Sequence, residues 1–296
     1  GNVAPTIKSQ VIVKLKHAGS ATTLDGLYFN GSTQTTGITY STGIGVSISL
    51  FSSPIFKNCR FNFHNAQAVL MDSLNRPNFL NCKFENNFGS PVVGANFSSN
   101  PAFRHVFFTG NSGTLFNAVS ADGIFDSCQF INSSGTNPGI GLLTDNSRTH
   151  FNNCGFSSLS NISTNTYIKT ANSYPIFNQC NFNNFTAGIS SPGKYVYAEA
   201  GAPVFNVCTF KNGYSSGGGA IFNYGANSVF NHCLFENNAA YQGGAVYNGN
   251  NGMPVFYNCV AVGNSGSGSF IYNDNSGGSI INSTVTRKAS FNTETD

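Results

Sequence analysis

The sequence predicts an all-β parallel β-helix of about eleven coils, each of roughly 25 residues and three strands. Three observations carry that expectation. The motif Phe-x-x-Cys-x-Phe recurs along the chain and accounts for every cysteine, with Ala261 in place of the second Phe after Cys259. Its copies return at a nearly constant interval. No segment shows the long run of apolar residues at 3.6-residue spacing that a helical repeat requires.

The motif sets the register. Its copies centre on Cys59, Cys82, Cys128, Cys154, Cys180, Cys208, Cys233 and Cys259. A ninth copy carries Val106 at the centre, between Phe103 and Phe108. Leu24, Leu27 and Phe29 extend the pattern toward the start, and Ile280, Ser283 and Val285 toward the end. Coils are therefore expected from about residue 12 to 287, in one domain covering 1–296. Residues 1–20 would form an N-terminal strand or cap, and 288–296 a short polar tail. A solenoid can hold nearly 300 residues in one domain because its core grows lengthwise.

Each coil can be divided further. The central residue and the Phe two positions later share strand parity, whereas the Phe three positions earlier does not. All three face inward only if the chain bends just before the centre. That position holds Asn58, Asn81, Asn153 and Asn258, with His105, Gln179 and His232 elsewhere. Asparagine tolerates left-handed backbone. A second apolar segment lies about 12 residues before each centre, as in Val69-Leu70 and Val196-Tyr197. Proline sits five before it at Pro54, Pro77, Pro101, Pro175, Pro203 and Pro254. Three strands and three corners follow. At about 4.8 Å per coil the rod would be roughly 50 Å long.

The cysteines number one per coil, and none has a local partner. Adjacent inward side chains meet the distance condition for a disulfide but not its geometry. A row of free, buried thiols is expected. No Cys-x-x-Cys occurs and the five histidines are scattered, so no metal or cofactor is expected. Only 8% of residues are charged and the formal net charge is +3. Basic clusters are small (Lys14, Lys16 and His17; Arg287 and Lys288), which argues against nucleic-acid binding. Gly217-Gly218-Gly219 and Gly243-Gly244 lack the Lys-Ser/Thr of a phosphate loop and read as tight corners.

No transmembrane segment is found, and the opening Gly1-Asn2 reads as a mature or trimmed form. A surface of neutral hydrogen-bonding residues suggests an extracellular or cell-surface setting. Sequons at Asn30, Asn96, Asn132, Asn161, Asn184 and Asn282 are candidate N-glycan sites, at no more than chance frequency.

The carboxylates do not form a clear catalytic array. Asp145, Glu199 and Asp274 share the position nine before their centres. Asp145 and Glu199 would lie two coils, about 10 Å, apart, near the upper limit for an inverting glycosidase pair. Solvated corner carboxylates are the plainer reading.

Gly-Gly-Ala-Ile at 218–221 and Gly-Gly-Ala-Val at 243–246 resemble half of a known repeat pair. Its other half, Phe-x-x-Asn, runs from Phe84 to Asn87, Phe108 to Asn111 and Phe235 to Asn238. Together they resemble the repeats of polymorphic outer-membrane proteins, autotransporter adhesins with β-helical passengers. The resemblance implies a right-handed, secreted, surface-associated β-helix and carries over no catalytic residue. The expected function is a non-enzymatic rod that assembles head to tail, with the strand-like 10–15 covering one end or pairing with the next molecule. The alternatives are an adhesin using Tyr195, Tyr197, Tyr214, Tyr224 and Tyr241 on glycans, or a polysaccharide lyase or hydrolase.

Overall fold

The corner before each centre decides how the chain coils. In the computed structural model, Asn58, Asn81, His105, Ser127, Asn153, Gln179, Val207, His232 and Asn258 all adopt φ between 52° and 56°. This left-handed residue ends one three-residue strand and starts another, as between Ile55–Lys57 and Arg60–Asn62. Phe56, Cys59 and Phe61 all point into the core as a result. The structure describes residues 11–31, 44–131, 139–157, 166–183, 193 and 195–287.

Three parallel sheets run along the rod. The first starts with Val11–Lys16 and Ile44–Ser49 and ends at Ile271–Asp274. The second runs from Thr23–Asp25 to Ser279–Ile281, and the third from Tyr28–Asn30 to Thr284–Arg287. Among the described residues the first two sheets hold eleven strands each. The third holds thirteen, because Tyr214–Gly217 and Ala239–Gln242 add a short extension beside Val260–Ser267. Among the described residues nine rungs in each of the first two sheets have neighbours on both sides, fewer closed turns than the eleven coils the spacing predicts. Val11–Lys16 is the first rung of its sheet rather than a lid across the end. Among the described residues there is no helix.

Strict register turns the motif into rows. The Phe residues three before the centre stack from Phe56 to Phe256, with ring centroids 4.6–4.9 Å apart and planes within 8°. Those two after it stack from Phe29 to Phe235 at 4.5–5.0 Å. The two rows meet edge to face, as at Phe151 and Phe156 (5.8 Å, 64°). Offset stacks along the axis combined with edge contacts across it satisfy the ring quadrupole in both directions. Each such pair contributes about 1 kcal/mol beyond its buried area.

A further row follows the third sheet. A second left-handed residue lies four after the centre: Phe63, Asn86, Gly110, Asn212, Asn237 and Gly263. It turns the next side chain inward, where His64, Asn87, Asn111, Asn238 and Asn264 are buried. Asn87 Nδ2 donates to the Phe61 carbonyl at 3.1 Å and to Asn111 Oδ1 at 2.9 Å. These amides hydrogen-bond the backbone where the third sheet stops, so the corner leaves few orphan groups. The Phe-x-x-Asn spacing is the sequence trace of this row.

Candidate functional surfaces

The eight cysteines are free and buried. From Cys82 onward each Sγ lies near the carbonyl of the phenylalanine three residues before the preceding centre, as Cys180 does with Phe151 O (3.3 Å). Burial pushes Cys128, Cys154 and Cys180 up. Cys208 goes the other way: burial raises it, but the thiols of Cys180 and Cys233 donating to its sulfur outweigh that and bring it below the usual thiol range. The row is core, and its chemistry is closed to solvent. Among the described residues no group of three or more His, Cys, Asp or Glu could hold a metal ion.

The candidate carboxylate pair does not line up. Glu199 aligns with Ala171, and Ala171 aligns with Thr144, not with Asp145. The segment joining the first sheet to Cys154 holds one residue more than the one leading to Cys180, and a slip of one residue reverses the side chain's face. Asp145 sits in a left-handed turn (φ 55°). It lines an open hollow of about 420 Å³ with Ser98, Asn100, Asp122 and Arg148. Glu199 instead pairs with Lys169 at 2.8 Å.

The expected tyrosine surface divides. Tyr195 is fully buried rather than exposed, because its strand start packs it against Phe182 and Phe210 and its hydroxyl donates to the Lys211 carbonyl. Tyr197 belongs to an outward stack with Phe222 (5.1 Å), Tyr247 (4.4 Å from Phe222) and Tyr272 (5.8 Å from Tyr247). Lys169 Nζ lies 5.1 Å from the Tyr197 ring centroid. Ring faces inside this row cover one another. Tyr224 flanks the stack, 6.0 Å from Phe222. Tyr214 and Tyr241 stand apart, 42% and 68% exposed, around a hollow of about 210 Å³ floored by Ala239, Ala240, Ser265 and Gly266.

The remaining candidates fall as follows. Gly218 and Gly243 turn with φ 63° and 67°, where a Cβ would strike the carbonyls of Ile221 and Val246. They are corners, as expected. Asn30 and Asn282 are exposed and Asn96 is half-buried. Asn132, Asn161 and Asn184 lie outside the described residues, as does Lys288. Lys14, Lys16 and His17 are exposed on the first rung or just after it, and Arg287 closes the last strand.

The two ends differ. At the last rung Ile280 and Val285, which continue the two phenylalanine rows, are each 47% exposed. At the first rung Leu27 is 45% exposed, Val13, Leu15 and Leu24 are half-buried, and Phe29 is covered. These features define the chain as a parallel β-solenoid whose final rung, among the described residues, has no further strand beside it. No family model matches it, and neither a curated protein nor a solved structure does.

Proposed function

We propose that the chain is a non-enzymatic, extracellular rod subunit that associates end to end with copies of itself. One observation carries this reading: Ile280 and Val285 occupy rows whose interior members are fully buried, yet both are about half exposed. A solenoid normally ends in a polar cap. Here the final strands of all three sheets have a ladder neighbour on one side only among the described residues. Unpaired edges over exposed apolar groups favour pairing with another chain. The low charge and asparagine-rich surface support an extracellular setting. Light scattering across a concentration series, with electron microscopy of the same samples, tests the reading. Growing linear particles are expected, and strictly monomeric protein at high concentration would overturn it.

A second reading rests on Tyr214 and Tyr241. Two exposed rings flank a floor of small residues, with Ser265 for hydrogen bonding and no ionisable lining group besides the tyrosines themselves. That combination suits a neutral pyranose. Titration with methyl β-glucoside and its β-linked oligomers, read by tyrosine fluorescence in this tryptophan-free chain, tests it. Binding unaltered by Tyr241→Ala would remove it.

A further inference from the structure

We propose that Leu50, Phe51, Leu74 and Phe97 form a lipid-contacting ridge that lays the side of the rod along a bilayer carrying anionic headgroups. The inference is independent of how copies of the rod associate.

The ridge begins with a backbone cost. After the first-sheet strands Ile44–Ser49, Val69–Met71 and Val93–Asn96 the chain turns toward the second sheet through left-handed residues. These are Leu50 (φ 59°), Phe51 (φ 58°), Leu74 (φ 58°) and Phe97 (φ 45°). Large side chains are strained in this region of backbone space. From Ser120 onward the left-handed positions of the same corner carry only Ser, Asp, Asn, Ala or Gly, as at Asn146, Asn172 and Gly225. The turn itself therefore does not call for Leu or Phe. Packing does not explain them either. Phe51 and Phe97 are 67% and 65% exposed, and Leu50 and Leu74 are 41% and 45% exposed. Apolar residues that strain the backbone and still face solvent mark a contact outside the fold.

Shape, composition and charge identify what is contacted. The four side chains stand on a convex corner of three successive coils, where Leu74 N–H donates to the Phe97 carbonyl at 3.1 Å. Three coils span about 10 Å, so the side chains can enter a soft surface together. Protein-binding hot spots favour Trp, Tyr and Arg and are poor in Leu. Phe and Leu flanked by Lys and Arg are instead the composition of surfaces that settle into a lipid interface.

Cations stand on both flanks. Lys14 and Lys16 are exposed on the first sheet, and Lys16 pairs in register with Ser49, next to Leu50. Arg76 is exposed two residues after Leu74, and Lys57 and Arg104 end second-sheet strands of the same coils. Among the described residues none of the five is in an ion pair. The carboxylates on these flanks are Asp72 and Asp25. Asp72 accepts from Ser73 N–H and Asn75 Nδ2, and Asp25 accepts from Asn58 Nδ2. The surplus of positive charge complements an anionic headgroup layer.

Vesicle flotation of the full chain, produced in a host that does not N-glycosylate, tests the proposal. The vesicles are phosphatidylcholine alone, or equal parts phosphatidylcholine and phosphatidylglycerol. Binding is expected to be stronger to the anionic vesicles, with the difference lost at about 0.5 M salt. Phe51→Asn and Phe97→Asn should each weaken binding about tenfold. Asparagine suits a left-handed corner, so both variants should also unfold at a higher urea concentration than the unaltered protein. A ridge that served only the fold would lose stability on either change, and that result would overturn the proposal. Undiminished vesicle binding by the double variant would overturn it too, because the contact would lie elsewhere. So would equal binding to both kinds of vesicle, or binding to neither, the last result assigning the ridge to a protein cleft.

Discussion

Asn238 and Asn264 are joined across one rung of the core: Asn238 Nδ2 donates to Asn264 Oδ1 at 3.0 Å. The same nitrogen donates to the Phe210 carbonyl at 2.9 Å, and Asn238 Oδ1 accepts the Gly213 N–H at 2.9 Å. Asn238 is fully buried, so Asn238→Ala strands a carbonyl and an N–H with no route to water. A loss of about 3 kcal/mol is expected in urea unfolding. Asn231 makes a similar rung contact to Asn206 at 2.8 Å but is half-buried, and Asn231→Ala should cost under about 1 kcal/mol. Equal costs at the two positions would contradict the structural role assigned to the inner row.

The contrast between these rows shows what the sequence could reveal. The phenylalanine and cysteine rows were legible because every coil supplies a bulky residue at a fixed offset from one corner. The left-handed position before each centre was legible for the same reason, through Asn58, Asn81, Asn153 and Asn258. The inner asparagine row was legible only in part: Phe-x-x-Asn marks Asn87, Asn111 and Asn238, but not that a second left-handed corner turns them inward, and His64 and Gly213 interrupt the row. Asp145 was misaligned with Glu199 because counting from the centre assumes equal loops, and one extra residue reverses a side chain. Tyr195 stands one residue before its first-sheet strand, and that position alone does not show which side of the corner it occupies. The exposed end residues Ile280 and Val285 look like any other row members in sequence. Only the absence of a following described strand distinguishes them.

His64 gives the rod a pH dependence. Its Nε2 lies 3.1 Å from the Phe29 carbonyl, while its buried Nδ1 has no partner among the described contacts. Burial pushes the imidazole down to about 4, partly offset by that carbonyl. A lowered folded-state value means the unfolded chain takes up the proton first. The stability contribution is therefore complete above about pH 6.5 and is lost as pH falls toward 4. Across that interval stability should fall by about 3 kcal/mol from this group. His64→Asn, which installs the amide used elsewhere in the row, should flatten the profile there. An unchanged profile would assign the acid sensitivity to another group.

The buried thiols predict an inert chain. A disulfide reagent should label none of the eight cysteines in native protein over hours and all of them in denaturant. The row should not depend on sulfur, because Val106 already holds one of its positions fully buried. Cys154→Val is expected to change stability by less than about 1.5 kcal/mol. Phe156→Ala, which opens a gap in the stack between Phe130 and Phe182, should cost about 4 kcal/mol. The two urea curves, measured side by side, separate a substitution that keeps the core filled from one that empties it.

Val207 is the one β-branched residue in the row of left-handed corners before the centres, with φ 56°. Its neighbours along the row are Gln179 and His232, at 53° and 54°, so the conformation is imposed by the coil and not chosen by the side chain. Its N–H donates to the Asn231 carbonyl at 2.8 Å, which holds the corner in place. The side chain is 55% exposed, so little packing offsets the strain. Asparagine adopts this backbone readily and occupies the same corner at Asn153 and Asn258. Val207→Asn should therefore stabilise the fold by about 1 kcal/mol, with an unchanged urea slope. Val207→Gly relieves the same clash but adds freedom to the unfolded chain, so its gain should be smaller. Destabilisation by asparagine would mean that the exposed valine makes contacts worth more than the backbone strain, and the corner geometry would then not be what selects residues at this position.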